Sequence, residues 1–152
     1  MKLASLLRPA AVVAELHSTE KIGVLRELSG ALAKAIDGLD ENKIFKALAE
    51  RERLGSTGVG DGVAIPHAKI NGIKQLYAAF GRSIDGIDFD SPDNKPSHLF
   101  FMLIAPDDSV VSHLEALKRV SFLLDQEENR NKLMQAKSPQ LYQALQEVDE
   151  KG

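Results

Sequence analysis

Arg51-Glu52-Arg53-Leu54-Gly55-Ser56-Thr57-Gly58-Val59-Gly60-Asp61-Gly62-Val63-Ala64-Ile65-Pro66-His67 sets four glycines within the eight positions 55–62, then runs through a short apolar stretch into a proline and a histidine. Glycines at this density let backbone N–H groups come close to an anion. Pro66 restricts its own φ and the conformation of Ile65 before it. The stretch reads as a cradle beside a rigidly held imidazole, and such an imidazole can accept a phosphoryl group. It also joins a helix that carries Arg51 to a strand at Val63–Ile65.

Two commoner glycine-rich patterns fail. A Walker A loop needs G-x-x-x-x-G-K-[ST], but Gly60 is followed by Asp61 and Gly62, which puts a negative charge where nucleotide phosphates need a cation. The dinucleotide pattern G-x-G-x-x-G, begun at Gly58 and Gly60, meets Val63 at its third glycine, and Pro66 follows where a helix should begin. Neither ATP nor a nicotinamide cofactor is expected, and no cofactor is assigned.

Working upstream, the pattern predicts a helical turn at 3–7, a strand at 12–16 and a helix capped by Ser18 or Thr19. Leu25, Leu28, Leu32 and Ile36 recur along that helix at three-and-four spacing, and Gly38 stops it. Asp40 opens a second helix with Ile44, Ala47 and Leu48 on one face. Downstream, strands are expected at 63–65, 76–83 and 98–104. The last is apolar almost throughout, as in a strand buried on both faces. Positions 85–95, rich in Asp, Gly, Pro and Asn, read as loop. Asp107 or Asp108 caps a long helix to Leu124, a shorter helix spans 127–135, and Ser138 with Pro139 opens a final helix through Val148. Alternating helices and short strands imply an α/β fold: a layered sandwich of a mixed β-sheet flanked by helices. With no repeat or linker, residues 1–152 read as a single domain.

Composition narrows the function. The chain has 152 residues, enough for a full core without staples. It has no cysteine, which excludes disulfides, thiol catalysis and thiolate metal sites. Four scattered histidines lack metal-ligand spacing, so no metal is expected. A net charge of −3 gives no basic balance for nucleic acid. No run approaches the roughly 18 to 20 apolar residues of a membrane span, and Pro9 and Glu15 interrupt any signal-peptide core, so a cytoplasmic location is expected.

Arg51-Glu52, Gly55-Ser56-Thr57-Gly58, Gly60, Gly62 and Ala64-Ile65-Pro66-His67, with His113-Leu114 on a later helix, resemble the phosphorylation-site signature of the IIA components of the bacterial phosphotransferase system, in the mannitol, fructose and nitrogen-regulatory group. The likeness covers essentially the whole chain, and the Gly-Ser-Thr-Gly form of the loop is most similar to the nitrogen-regulatory branch. It implies that His67 takes a phosphoryl group from a small histidine phosphocarrier protein, charged in turn from phosphoenolpyruvate. In that branch the phosphorylation state regulates other proteins, such as potassium transporters or sensor kinases. Sugar-branch members pass the group to a permease IIB domain instead. A binding module that holds an anion without covalent chemistry stays open as an alternative, and a hydrolase finds no supporting motif such as G-x-S-x-G.

The residues carry these roles as follows. His67 as neutral imidazole is a competent nucleophile near pH 7. Arg51, on the helix face of Ile44, Ala47 and Leu48 by the 100° step, is the expected cation, whereas Arg53 is expected to point away. Glu52 is read as a structural partner for a cation. Ser56, Thr57 and Gly58 are candidate phosphate contacts, although Ser, Thr and Gly are also ordinary turn residues. Asp61 is expected in an exposed turn. His113 lies at the edge of a stripe formed by Val110, Leu114, Leu117 and Leu124, and the resemblance implies that it lines the site beside His67. His17 and His98 are read as structural or exposed.

Overall fold

Strand β6 (Ser97–Pro106) is the axis of the sheet, and nine of its ten residues are buried. The computed structural model describes residues 2–152. Leu99, Phe101, Leu103 and Ala105 enter one core, and Phe100, Met102 and Ile104 enter the other. The period-two alternation of a strand thus feeds two hydrophobic layers at once. On the first face lie α3 (Val110–Leu124), α4 (Glu127–Gln135) and α5 (Leu141–Lys151); on the second lie α1 (Lys21–Ala35) and α2 (Glu41–Arg53). The layered sandwich expected from the sequence is the observed architecture.

The remaining strands are β1 (Val12–Val13), β2 (Gly58–Gly60), β3 (Val63–Ala64), β4 (His67–Ile70) and β5 (Tyr77–Ile87), and the sheet runs β1-β5-β6-β3-β2. It is mixed, with β5 antiparallel to β6 and both β3 and β4 parallel to it. Val63 faces Leu99, and His67 faces Leu103. β3 and β4 are therefore two halves of one track along β6, broken at Ile65-Pro66, because a proline has no N–H for the ladder. The Pro66 carbonyl still accepts from the Leu103 N–H at 2.9 Å, so the track resumes at once.

Several expected boundaries move. The glycine stretch contributes a strand, β2, and His67 begins a strand. β5 runs on to Ile87 past an irregular register, shortening the expected loop, and only Val12 and Val13 pair in the expected first strand. Glu20 stands at the cap of α1 with no side-chain bond, and the Glu27 carboxylate accepts from the His17 and Ser18 N–H groups. Ser109, not Asp107 or Asp108, precedes α3. Ser138 and Pro139 form a short 3-10 turn ahead of α5, where the Ser138 hydroxyl donates to Glu15. Asp40 caps α2 as expected, accepting from the Asn42 and Lys43 N–H groups.

The buried face of α3 also departs from the expected stripe at its first two positions, whereas Leu124 is buried as expected and Leu117 packs against the core. His113, Ala116, Val120 and Leu123 point inward, while Val110 and Leu114 are 56% and 52% exposed. Both sets have three-and-four spacing, so periodicity alone could not choose between them.

Candidate functional site

The end of α2, the start of β4 and the first turn of α3 meet around a cleft of about 1050 Å³ that Arg51, His67 and His113 all line. Five Lys or Arg side chains border it, Lys43, Lys46, Arg51, Arg53 and Lys69, against one carboxylate, Glu50. In a chain of net charge −3, this is a local concentration of positive charge. Glu50 lies 3.6 Å from Arg53, which offsets part of that charge. Arg53 therefore edges the cleft and does not point away as expected.

His67 owes its orientation to the proline break. Its Nδ1 lies 2.7 Å from the Ile65 carbonyl oxygen. A carbonyl can only accept, so Nδ1 carries the proton and donates, which leaves the lone pair on Nε2. Burial holds the His67 pKa below the ordinary imidazole range. The Ile65 carbonyl opposes that, Arg51 adds to the lowering, and Glu52 pulls the other way. The ring is thus neutral near pH 7 with one defined nucleophilic nitrogen.

His113 packs edge-on against it, with ring centroids 5.6 Å apart and planes at 71°. It is 6% exposed, and its buried Nε2 has no hydrogen-bond partner. An unpaired polar atom in a buried position is costly, and a phosphoryl oxygen brought into the cleft is one group that could satisfy it. Burial lowers the His113 pKa, and the proximity of the titratable His67 and of Lys69 lowers it further.

Arg51 sits at the margin of α2, since the fully buried stripe is Ile44, Leu48 and Glu52. Its Nη1 donates to the Gly55 carbonyl at 2.8 Å, which anchors one arm of the guanidinium beside the cleft. A guanidinium has five N–H donors, so capacity remains for an oxyanion.

Ser56, Thr57 and Gly58 are not brought to the cleft wall. The Ser56 hydroxyl donates to the Phe89 carbonyl at 2.6 Å and accepts from the Gly58 N–H at 3.0 Å. Thr57 donates through both its N–H and its hydroxyl to Glu52. Gly58 meets another constraint: a Cβ there would run into Ser91. Gly60, Asp61 and Gly62 follow with φ of 96°, 55° and 79°, a left-handed turn in which Asp61 is exposed as expected.

Glu52 meets its cation: Lys21 Nζ lies 3.1 Å from its carboxylate. His98 Nδ1 contacts the Ser83 carbonyl at 2.9 Å, and exposed His17 bonds through its backbone, so neither reaches the cleft. Sequence reasoning missed Lys43, Lys46 and Lys69. The first two lie one turn or more back along α2, and Lys69 is two residues beyond His67 on alternating β4; that spacing was the available signal. Among the described residues no cluster of His, Asp or Glu could hold a metal ion, and no helix is long and apolar enough to cross a membrane.

Residues 5–148 match the family described as phosphoenolpyruvate-dependent sugar phosphotransferase system, EIIA 2. A nitrogen regulatory protein of Bradyrhizobium diazoefficiens is 37% identical over 146 residues, 95% of each chain. A fructose-specific EIIABC component of Bacillus subtilis is 42% identical over 138 residues; these are 91% of this chain and 22% of that protein, so the chain spans about a fifth of that relative. The crystal structure of the nitrogen regulatory protein IIA-Ntr from Neisseria meningitidis superposes with a TM-score of 0.86 at 32% identity, covering 94% of this chain and 98% of that one.

Proposed function

The chain belongs to the phosphotransferase-system EIIA 2 family, and from that premise we propose that it is a cytoplasmic phosphocarrier whose His67 Nε2 accepts a phosphoryl group from a phosphohistidine on a small histidine phosphocarrier protein. The observation that carries this reading is the 2.7 Å contact of His67 Nδ1 with the Ile65 carbonyl at the wall of a cation-lined cleft. The donor's N–P bond breaks and its electron pair returns to the donor imidazole. The Nε2 lone pair forms the new N–P bond. The ring of phosphorylated His67 keeps its Nδ1 proton and gains positive character, so the bond to Ile65 becomes charge-assisted and stronger. Arg51 and His113 face the equatorial oxygens, where charge stabilisation does most of the work of phosphoryl transfer.

A protein donor suits the rim. Leu54 is 86% exposed at the cleft, and Val110, Val111 and Leu114 are exposed beside His113. Such apolar side chains beside a reactive group favour a docking protein over a small polar substrate.

The output we favour is regulatory. Phosphorylation adds about two negative charges to an accessible, cationic surface, so a partner docking there distinguishes the two states. The relatives named nitrogen regulatory protein favour targets in nitrogen metabolism, and the resemblance of the glycine loop to that branch adds potassium transporters and sensor kinases as candidate targets. The fructose-specific relative, at 42% identity, favours a second reading in which the group passes to a permease IIB domain. Incubation with phosphoenolpyruvate and the two upstream proteins should add one phosphate to the intact mass, and no added phosphate would leave a non-covalent anion-binding module. Pull-downs with the phosphorylated and unphosphorylated forms then separate the outputs: a IIB domain that takes the phosphoryl group, as the one state-dependent partner, would replace the regulatory reading.

A further inference from the structure

A buried carboxylate is joined to the imidazole through two residues of the intervening chain. Glu52, in the last turn of α2, is 8% exposed. It accepts from the Thr57 N–H at 2.8 Å and from the Thr57 hydroxyl, and Lys21 completes its shell at 3.1 Å. Thr57, itself 5% exposed, is thereby held at both main chain and side chain. Its carbonyl accepts from the Ile65 N–H at 3.0 Å, and the Ile65 carbonyl accepts from His67 Nδ1 at 2.7 Å. Between Ile65 and His67 stands Pro66, whose φ is restricted.

The charge on Glu52 strengthens this chain of bonds. Burying a carboxylate is unfavourable unless donors surround it, and a neutral side chain could have anchored the loop without that cost. A charged acceptor makes hydrogen bonds roughly twice as strong as a neutral one, which gives a stiffer support for Thr57. The same helical turn carries Arg51, which is fastened to the Gly55 carbonyl at 2.8 Å, while the Gly55 N–H donates to the Glu52 carbonyl at 3.1 Å. One turn of α2 therefore holds the cation directly and the nucleophile at one remove.

We propose that Glu52 is a positioning residue for phosphoryl acceptance: acting through Thr57 and Ile65, it sets the orientation and the tautomer of His67 so that Nε2 is the nitrogen open to the cleft. This rests on the reading of His67 as acceptor, but the tautomer can be measured with no donor present. Glu52→Gln keeps the size and a carbonyl acceptor for Thr57 while removing the charge and the pairing with Lys21. Thr57→Val removes only the hydroxyl donor, and it serves as well if the first variant does not fold.

The test uses the full chain with 15N-labelled histidine. Long-range proton–nitrogen spectra report the His67 tautomer, and intact mass reports the rate of phosphate gain from phosphoenolpyruvate and the upstream proteins. In Glu52→Gln the single Nδ1–H tautomer should give way to a mixture with Nε2–H, and transfer should slow by at least about tenfold, as when a nucleophile is held less closely to its line of attack. Thr57→Val should move both readings the same way by less. If the folded variants keep the pure Nδ1–H tautomer and transfer within about twofold of the parent, Glu52 only stabilises the fold and the proposal is overturned. A parent protein that gains no phosphate would instead remove the phosphocarrier reading, and the tautomer spectra would still decide whether Glu52 orients the ring.

Discussion

The glycine loop and the cleft beside it are built on opposite principles. In the loop the Ser56 and Thr57 hydroxyls and the N–H groups of Thr57, Gly58 and Asp61 all have partners within the protein. In the cleft His113 Nε2 has none, and the donors of Arg51 are only partly used. A ligand at the loop would have to displace bonds each worth about 1 kcal/mol net, whereas a ligand in the cleft satisfies groups that now lack partners. The loop is thus a holder, and the cleft is the surface with free hydrogen-bonding capacity, although the loop carries most of the recognisable sequence.

The largest test of that contrast is His67→Ala, which should abolish phosphate gain in an intact-mass assay while circular dichroism stays native, because the partly buried ring belongs to neither hydrophobic core. Acid-labile phosphate on that variant would move the nucleophile elsewhere. Arg51→Ala should slow transfer by at least about tenfold, the loss of roughly 1.4 kcal/mol of charge stabilisation. Arg53→Ala, whose side chain borders the cleft but is paired with Glu50, should cost a few-fold at most, and equal rates for the two variants would take Arg51 out of the chemistry. His113→Ala should slow transfer without stopping it.

Ser56→Ala sharpens the contrast from the loop side. It should lower stability by about 2 kcal/mol in denaturant melts, through loss of the Phe89 and Gly58 bonds, and leave the transfer rate within about twofold. A large rate loss with little change in stability would return that hydroxyl to the phosphate. The smallest effect concerns pH. Both cleft histidines have folded pKa values below the ordinary 6.5, so between 6.5 and those lower values the unfolded chain binds more protons than the folded one. Stability then rises with pH through that window and is lost as pH falls through it. The His67→Ala variant should show a weaker dependence in melts from pH 7 to 5.

Much of this was legible locally. Asp40 announces α2 because a carboxylate before a helix satisfies N–H groups that have no other partner, and the apolar run at 98–104 announces a central strand because both of its faces are buried. The inward face of α3 was not legible. Val110 and Leu114 fit the stripe as well as Ala116 and Val120 do, and the choice depends on what the helix packs against. The strand character of Gly58–Gly60 was hidden for a different reason: the pairing with β3 is local, Gly58 with Ala64 and Gly60 with Val63, but glycine composition argues against a strand.

Residue order, spacing and periodicity were enough for the family, the layered α/β fold and the choice of His67, His113 and Arg51 as the proposed site. It took the folded chain to leave Nε2 of His67 free, to use up Ser56 and Thr57 inside the loop, to bring Arg53 and three lysines to the cleft, and to link Glu52 to His67 through Thr57 and Ile65. The physical reason is that a hydrogen-bonding group has limited capacity, and whether it is left for a ligand depends on neighbours that folding brings from distant parts of the chain.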